Sequence, residues 1–584
     1  MQPLLESPIV ALLALIWTLV PIVCATIPVD VDDLDPLKEC KRRGTSLVQL
    51  DNKIYSYGGQ SYVRNGSETP FPITNHFLRI FDFTSSRDMN DSSLLSPKEI
   101  LGDTTIYNSG LFWGASNTLY VTGGQAQADP WLSLDGEFLP TNYTDYTAGT
   151  IFKYDIEADK WSFESAVQPA DGSATTLSSL CCGSFGYNPT AQKAYFWSGS
   201  DYPGVRQNDP DSSYIYVGIT SDEVVGNGNL LTFDTTTFKW KNETTSTTKW
   251  TEQGRLVYLP GTLSSTGGVA IELGGQNHGS DSQMEPLRQV LVYDSSKDSW
   301  YSQSTTAEGD FPPSRVAFCA IAASAPDNSS HNIYIYGGES PESTSQDAFD
   351  DMWVLSIPSF RWLSVNASSV PKKDLACTTV GERYMFTYGG MQGGWTKSGS
   401  DEDCDNENNY GIRLFDLNNL EWVSHYEGPA SDNGGYMVPT VVYKAVGGDQ
   451  KGGATQTAPQ TGFDTPALTA LFRSGTTSST GSPTPAPKSN HIGAIVGGVL
   501  GGLVGLALIL GAVLWFLRRV KTRREANQQP YTGTQYMPAA TTHTVHEAEA
   551  PEKYARELPN TQYGTDPRSP VYYEMDGIQN SPRK

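Results

Sequence analysis

Charged residues are sparse in this chain of 584 residues: they make up 18% of it, and acidic residues outnumber basic ones by 64 to 40. The resulting net charge of −24 argues against a nucleic-acid partner, because phosphate backbones are bound by positive surfaces. The low charge, with 56 glycines and 11% aromatic residues, also disfavours a helical or a disordered chain. We therefore expect an all-β fold rich in turns.

Histidine is scarce as well, with seven in the chain. Four fall within the repeats described below, at His76, His278, His331 and His425. They share no motif, and no Ser-His-Asp or zinc-ligand spacing stands out. The sequence therefore predicts no catalytic residue, no metal and no cofactor. The acidic run 401–407 could offer oxygen ligands to calcium, but Asn408 replaces the glycine of an EF-hand loop, so we interpret it as a solvated loop.

Long apolar runs occur twice. The first, residues 9–23, is followed by Cys24 and Ala25, and the small residues there suit signal peptidase. We predict that residues 1–25 are a signal peptide. Because the segment carries Glu6 and no Lys or Arg, an uncleaved anchor is the alternative.

The second run predicts a transmembrane helix at residues 491–517. Its uncharged part, 492–517, is long enough to cross a hydrocarbon core of roughly 30 Å at about 1.5 Å per residue. A basic cluster, 518–524, follows at once, so the positive-inside rule places the tail in the cytosol. We expect a single-pass protein of the plasma membrane, reached through the secretory pathway, with its N-terminal part outside.

Cysteines and glycosylation motifs support this sidedness. Six cysteines remain after signal removal, an even number that predicts disulfides of unknown pairing in an oxidising compartment: Cys40, Cys181, Cys182, Cys319, Cys377 and Cys404. For the adjacent pair we expect bonds to other cysteines rather than a redox role. Six Asn-x-Ser/Thr acceptors also precede the predicted span: Asn65, Asn90, Asn142, Asn242, Asn328 and Asn366.

The strongest structural signal is a repeated apolar run that ends in two glycines. The doublets are Gly58-Gly59, Gly123-Gly124, Gly274-Gly275, Gly337-Gly338 and Gly389-Gly390, and residues 194–200 hold a degraded copy. A second apolar run follows each doublet and usually ends in Asp. Six positions after that Asp, or after Ser in one copy, five copies carry a tryptophan: Trp161, Trp240, Trp300, Trp362 and Trp422.

Each copy is typical of a small antiparallel sheet that must stack on its neighbours to bury both faces. The doublets, the Asp and the Trp resemble the kelch repeat over residues 44–425. The resemblance implies a β-propeller of four-stranded blades, and we count six blades, the first without its Trp. Residues 436–448 are interpreted as a partial seventh blade or as the strand that closes the ring. The whole layout resembles single-pass (type I) kelch-repeat membrane proteins of filamentous fungi.

Composition predicts the remaining domains. The propeller ectodomain is expected at 26–452, followed by a stalk rich in Ser, Thr, Pro and Gly at 453–490. The cytosolic tail, 518–584, has few aliphatic residues and is expected to be disordered.

Antiparallel strands alternate in direction, so the loops between second and third strands share one face with the connections between blades. These loops are long and carry the candidate ligand-binding residues Trp131, Tyr143, Tyr146, Tyr202, Arg206, Tyr214 and Trp395. Aromatic side chains beside polar ones suit a glycan or a protein partner.

The sequence thus favours a non-enzymatic cell-surface protein that acts in binding, adhesion or reception. One alternative is an extracellular enzyme, either similar to galactose oxidase or otherwise active on carbohydrates. Galactose oxidase is a copper enzyme that the kelch resemblance implies, and it needs two histidines and a Tyr–Cys crosslink. The other alternative is a structural protein of the cell surface or wall.

Two membrane-side features predict partners. Glycines at four-residue spacing within 493–505 favour a homodimer through the transmembrane helix. In the tail, Tyr572 and Met575 form a Tyr-x-x-apolar motif that endocytic adaptors bind.

Overall fold

The computed structural model describes the chain between residues 41 and 474, and all that follows concerns this part. The gaps within it are 64–70, 101–106, 128–130, 133–137, 140–149, 165–166, 168, 171–179, 202–204, 209–213, 218–224, 227, 244–249, 260–267, 279–282, 341–347, 368–369, 393–410 and 430–433.

Six antiparallel sheets of four core strands repeat along the chain, which confirms the all-β prediction. We call them blades 1 to 6. Blade 1 is Ser46–Leu50, Lys53–Tyr57, Phe77–Asp82 and Leu95–Glu99; blade 2 is Leu111–Ala115, Thr118–Thr122, Ile151–Asp155 and Lys160–Glu164; blade 3 is Ser184–Asn188, Lys193–Trp197, Leu230–Asp234 and Lys239–Glu243. Blade 4 is Arg255–Leu259, Val269–Leu273, Gln289–Asp294 and Ser299–Ser304; blade 5 is Cys319–Ser324, His331–Tyr336, Met352–Ile357 and Arg361–Val365; blade 6 is Lys373–Val380, Tyr384–Met391, Arg413–Asp416 and Glu421–Val423.

Within each blade the strands pair in chain order, and the first strand lies innermost. First strands of neighbouring blades pack together at five of the six junctions, including that of blade 6 against blade 1. Blades 2 and 3 share one buried core cluster, which includes Trp113 and Phe196. The sheets therefore form a closed ring around a central channel, as in a β-propeller.

The glycine doublets directly follow the second strands, except in blade 6, where the doublet lies within the last three residues of the strand, and both glycines adopt a positive φ. In blade 5, Gly337 and Gly338 have φ of 68° and 89°. A Cβ on Gly337 would lie 2.2 Å from the carbonyl oxygen of Lys372, and one on Gly338 would lie 2.6 Å from that of Val316. Glycine is needed here because the chain entering the first strands passes directly against the doublet.

The Asp that closes the third strand folds the turn to the fourth strand. Asp294 Oδ1 accepts hydrogen bonds from Ser296 N at 3.0 Å and from Ser296 Oγ at 2.6 Å. Four residues after the Asp, a left-handed residue completes the turn, here Asp298 with φ of 48°. This Asx turn sets the distance from the Asp to the Trp in the next strand.

Each of the five tryptophans packs against the preceding blade. Trp362 of blade 5 is buried and donates its Nε1–H to the carbonyl of Leu287 in blade 4 at 2.9 Å. Trp300 of blade 4 lies with its ring centroid 4.3 Å from that of Trp197 in blade 3. The tryptophans thus bury the blade interfaces, which is why the repeat spaces them regularly.

Blade 1 lacks this tryptophan, and a cluster of aromatic rings fills its junction with blade 6. Phe81 lies 4.9 Å from Phe386 between ring centroids, and Phe83 lies 5.0 Å from Tyr426. Two short strand pairings also join the ends of the ring: Lys41–Arg43 pairs with the second strand of blade 6, and His425–Tyr426 pairs with Arg87–Asp88 of blade 1.

Residues 436–448 form neither a seventh sheet nor a strand that closes the ring, so both sequence interpretations of this segment were wrong. They hold helix α1, Thr440–Val446, whose Val442 and Val446 are buried against blades 5 and 6. Tyr436 precedes the helix, and its hydroxyl lies 2.7 Å from that of Tyr334. Apolar residues at helical spacing therefore cover the ring here instead of extending it.

The folded region also continues beyond residue 452, where we expected the stalk to begin. Gly453 N donates to Asp327 Oδ2 at 2.6 Å. Helix α2, Pro466–Ser474, follows and buries Leu468, Leu471 and Phe472 against blades 4 and 5. Apolar residues at i, i+3 and i+4 give α2 one buried face, so the segment 436–474 forms a strap on the outside of the ring.

Two disulfides fall within the described residues. Cys319 and Cys377 join the first strands of blades 5 and 6. Cys181 and Cys182 are bonded to each other, which corrects our expectation that they pair with other cysteines. Cys40 and Cys404 lie outside the described residues, as do the tail motif and most of the predicted stalk.

In the stretches of 41–474 that the structure describes, no helix is long and apolar enough to cross a membrane. The predicted span at 491–517 lies outside them.

Candidate functional site

The loops between second and third strands carry short strands of their own. Together with the connections between blades they form what we call the loop face. The short strands on or beside it are Lys41–Arg43, Gln60–Val63, Phe71–Thr74, Tyr107–Asn108, Gln125–Gln127, Trp131–Leu132, Phe138–Leu139, Leu180–Cys181, Ser200–Asp201, Val205–Asn208, Tyr214–Val217, Val225–Gly226, Trp250–Glu252, Gln276–His278 and Gln283–Met284. One further short strand, Thr306–Ala307, pairs with the outer strand of blade 5.

Strand pairing joins the loops of neighbouring blades. Trp131–Leu132 of blade 2 pairs with Phe71–Thr74 of blade 1, and Gln125–Gln127 of blade 2 runs parallel to Val205–Asn208 of blade 3. Main-chain hydrogen bonds therefore hold the loops of three consecutive blades in one rim, which limits their independent motion.

Three of the seven predicted ligand-binding residues lie in this rim. Trp131 pairs with Leu139 and Thr74, Arg206 pairs with Tyr216 and lies beside Gln127, and Tyr214 pairs with Asn208. Arg206 and Tyr214 are thus on adjacent strands of one small sheet. The other four, Tyr143, Tyr146, Tyr202 and Trp395, lie outside the described residues.

The central channel contains a cavity of about 410 Å³ to which all six blades contribute. This volume falls in the range of roughly 300–1,000 Å³ typical of small-molecule sites. Its wall is made by the residues that begin the first strands, among them Thr45, Ser46, Ser109, Phe112 and Phe185. These residues lie at the loop-face end of the strands, so the cavity lies beneath the rim.

A ring of left-handed residues surrounds this end of the channel, one in each blade. Their φ values lie between 54° and 68°, and they are Gly44, Ser109, Cys182, Gln253, Ala317 and Asp374. Main-chain hydrogen bonds run from one to the next: Ser109 N donates to Gly44 O at 3.0 Å, and Asp374 N donates to Ala317 O at 2.8 Å. A repeated, hydrogen-bonded turn therefore fixes the shape of the cavity wall.

Arg255 brings a positive charge to this wall. Its Nη1 donates to the carbonyl of Gly254 at 2.8 Å, and its guanidinium lies 5.6 Å from the ring centroid of Phe318. Among the described residues no carboxylate forms an ion pair with it. Burial lowers the pKa of Arg255, and the negative charges of Asp374 and Glu272 oppose that shift.

Glu272 lies behind Arg255 on the second strand of blade 4. Ser184 Oγ donates to its Oε1 at 2.7 Å, while Oε2 is buried with no partner in the described part of the chain. Burial raises the pKa of Glu272 to about 8, and the Ser184 hydrogen bond and Arg255 act in the opposite direction. Glu272 is therefore mostly protonated at neutral pH, and the larger negative influence on Arg255 comes from Asp374, which also lines the cavity.

The two disulfides meet the cavity through one cysteine each. Cys182 and Cys377 both line it. Because Cys319 and Cys377 connect the first strands of two blades, they tie together one side of the wall.

The histidines are not brought together. His76 and His278 lie in loops of blades 1 and 4, and His331 begins the second strand of blade 5. Burial lowers the pKa of His76 and of His331 to about 4. His425 is exposed, with Nδ1 2.7 Å from Asp88 Oδ1. No cluster of three metal-ligating side chains occurs within the described ranges, and the acidic run 401–407 falls outside them.

Four glycosylation motifs can be placed. Asn90, Asn328 and Asn366 are exposed, as glycan attachment requires. Asn242 is half-buried, with its Oδ1 inaccessible. Asn65 and Asn142 lie outside the described residues.

Sequence reasoning missed the channel wall because it searched the long loops. The sequence does contain a signal for the wall. In three blades the left-handed residue is followed by a glycine just before the first strand: Ser109-Gly110, Cys182-Gly183 and Gln253-Gly254. Arg255 itself begins a strand, and nothing in its local sequence distinguishes it from a surface arginine.

The fold and the site together define an all-β protein of six repeated blades arranged as in a propeller, with a strand-paired loop rim and a ligand-sized central cavity. The chain is 28% identical to a kelch repeat-containing protein of Arthroderma benhamiae over 556 residues, an alignment that covers 83% of this chain and 76% of the relative. No family model matches the chain. The relative and the sheet-rich repeat fold support a kelch-repeat family.

Proposed function

We propose that this chain is an exported, non-enzymatic binding protein of the plasma membrane whose loop face binds an extracellular glycan or protein. The observation that carries the proposal is the rim on the loop face, in which strand pairing joins the loops of blades 1, 2 and 3 above a cavity of about 410 Å³. Export, the membrane span, the dimer and the cytosolic adaptors belong to the same proposal and rest on the sequence.

Rigidity is the physical support for binding. A loop that is already ordered loses little conformational entropy when it meets a ligand, so more of the contact energy remains as affinity. Strand pairing supplies this order to Trp131, Arg206 and Tyr214, and an aromatic, an arginine and a phenol are residue types enriched where binding energy concentrates.

Similarity to a kelch repeat-containing protein favours an interaction role over a catalytic one. An oxidase similar to galactose oxidase would need two histidines at one metal. His76, His278, His331 and His425 lie in different blades, which gives no support to such a centre.

The test measures binding of the purified full chain, in mild detergent, to an array of neutral and acidic oligosaccharides and to intact cells with and without protease treatment. We expect a bound glycan, or a cell-surface signal that protease removes if the ligand is a protein. Trp131→Ala should reduce the signal at least tenfold. Phe163→Ala is the matched control, because Phe163 is an exposed aromatic residue on the outer strand of blade 2.

Equal loss in both variants would place the interaction away from the loop face. Blank arrays and unlabelled cells would favour the structural wall role. Stoichiometric copper with oxidase turnover would replace the binding function by an enzymatic one.

A further inference from the structure

The cavity wall combines a cation with many neutral hydrogen-bonding groups. Arg255 is the one basic residue among the described residues that line it. Its Nη1 bonds only the carbonyl of Gly254, and its Nε and Nη2 make no hydrogen bond with the described residues. An arginine has five N–H donors in a planar fork, so most of this fork is available to a ligand in the channel.

We propose that Arg255 binds the carboxylate of an acidic sugar, a uronic-acid unit, that enters the channel beneath the loop rim. This inference rests on the proposed function, since it names the ligand class of the same face.

A carboxylate is the group that matches the available donors. The guanidinium fork binds a carboxylate through two parallel hydrogen bonds, and such charge-assisted bonds are about twice as strong as neutral ones. Asp374 is the nearest negative influence on Arg255, but among the described residues no carboxylate is within ion-pair distance of the guanidinium, and the raised pKa of Glu272, about 8, leaves that side chain mostly protonated at neutral pH.

The rest of the wall suits a sugar ring. Ser109 contributes a hydroxyl group and Gln253 an amide. The hydroxyls of Thr45 and Ser46 donate to the carbonyls of Gly58 and Gly110, at 3.4 Å and 3.0 Å, so towards a ring hydroxyl they can act as acceptors. Phe112 contributes an aromatic surface of the kind on which a sugar ring stacks. At about 410 Å³ the cavity is too small for a folded protein element but lies within the range of small-ligand sites.

Charge limits the ligand to few carboxylates. The chain carries a net charge of −24, and Glu252 and Asp374 also line the cavity. A second carboxylate on the ligand would be repelled by these acidic residues and would find no second basic residue among those described in the cavity wall. A glycan end with one uronate therefore fits better than a polyanion or an acidic protein.

The test is isothermal titration of the full-length chain, in mild detergent, with glucuronate, with the isosteric neutral amide glucuronamide, and with an acetylated dipeptide that has a free C-terminal carboxylate. We expect glucuronate to bind roughly 10-fold to 100-fold more tightly than glucuronamide, the range for losing a charge-assisted hydrogen-bonded pair. Arg255→Met should abolish this preference, and Arg255→Lys should keep part of it, because lysine retains the charge but not the fork.

Arg288→Met is the matched control, since Arg288 is exposed in the same blade, packs on Phe311 and does not line the cavity. It should leave the preference intact. The comparison of acid with amide uses the wild-type chain, so it remains decisive if Arg255→Met does not fold.

Equal binding of acid and amide overturns the inference. Tighter binding of the dipeptide than of glucuronate also overturns it, in favour of a peptide carboxylate. If neutral glycans bind on the array while glucuronate shows no preference, this inference fails and the proposed function stands. If the array is blank and intact cells are unlabelled as well, both fail.

Discussion

Removing the disulfide between Cys319 and Cys377 should destabilise the propeller by an amount set by the loop that it closes. The two cysteines are 58 residues apart and lie on the first strands of blades 5 and 6. Closing a loop of this length lowers the entropy of the unfolded chain, which corresponds to about 4 kcal/mol of stability at 25 °C.

This free energy converts into a modest change of melting temperature because the folded unit is large. The entropy of unfolding is about 2.1 cal/mol/K per residue. For a folded unit of roughly 430 residues, each kcal/mol of lost stability therefore lowers the Tm by about 1 °C. The variant Cys319→Ala/Cys377→Ala should therefore melt about 4–5 °C below the wild type. Wild type under dithiothreitol should show a similar shift without any loss of buried atoms.

The adjacent pair provides the control. The bond between Cys181 and Cys182 spans a sequence separation of 1, so it restricts the unfolded chain very little. Cys181→Ala/Cys182→Ala should change the Tm by less than about 1 °C. Differential scanning calorimetry of the three proteins, with and without reductant, measures all of these shifts. Equal melting of the Cys319→Ala/Cys377→Ala variant and the wild type would refute the loop-entropy argument.

Three further predictions concern single side chains. Glu272→Gln should be about 3–4 kcal/mol more stable than wild type at pH 7.5 and equal to it near pH 4.5, as measured by urea titration. The reason is that the pKa of Glu272 is raised in the folded protein, so wild-type stability falls as the pH rises from the pKa of the unfolded chain toward about 8. Parallel pH profiles of the two proteins would contradict this. Trp362→Ala should cost about 3–5 kcal/mol by the same titration, and Trp161→Ala clearly less, since Trp362 is buried and Trp161 is half-exposed; equal costs would contradict the packing argument. Phe472→Ala should release α2, because Phe472 is part of its buried face, and limited proteolysis should then cut the strap faster; unchanged cutting would show that α2 is held by other contacts.

Repetition is what made the fold predictable from the sequence. Gly337, Gly338 and Trp362 occupy places dictated by main-chain conformation and by a blade interface, so the same residue types recur and can be recognised. Blade 1 shows the limit of this reasoning. Its missing tryptophan is replaced by Phe81 and Phe83, which meet partners more than 300 residues away in sequence, and no local pattern indicates that contact.

The strap was misassigned for a related reason. Residues 453–474 contain five Thr, two Gly and two Pro, and composition alone suggests a stalk. A few apolar residues, Leu468, Leu471 and Phe472, determine the outcome because a complementary surface exists on blades 4 and 5. Arg255 was missed because the cavity that it lines is formed by residues from all six blades, and this cavity exists only after the ring has closed.

The closure of that ring imposes an order on biosynthesis. Blade 1 is complete at Glu99, but its neighbour on one side is blade 6, and the pairing of Arg87–Asp88 needs His425–Tyr426. Synthesis of the roughly 330 intervening residues takes roughly 15–65 s at typical elongation rates. Throughout this interval the nascent chain exposes the aromatic flank formed by Phe81 and Phe83, a surface that folding chaperones would need to shield until the last blade emerges.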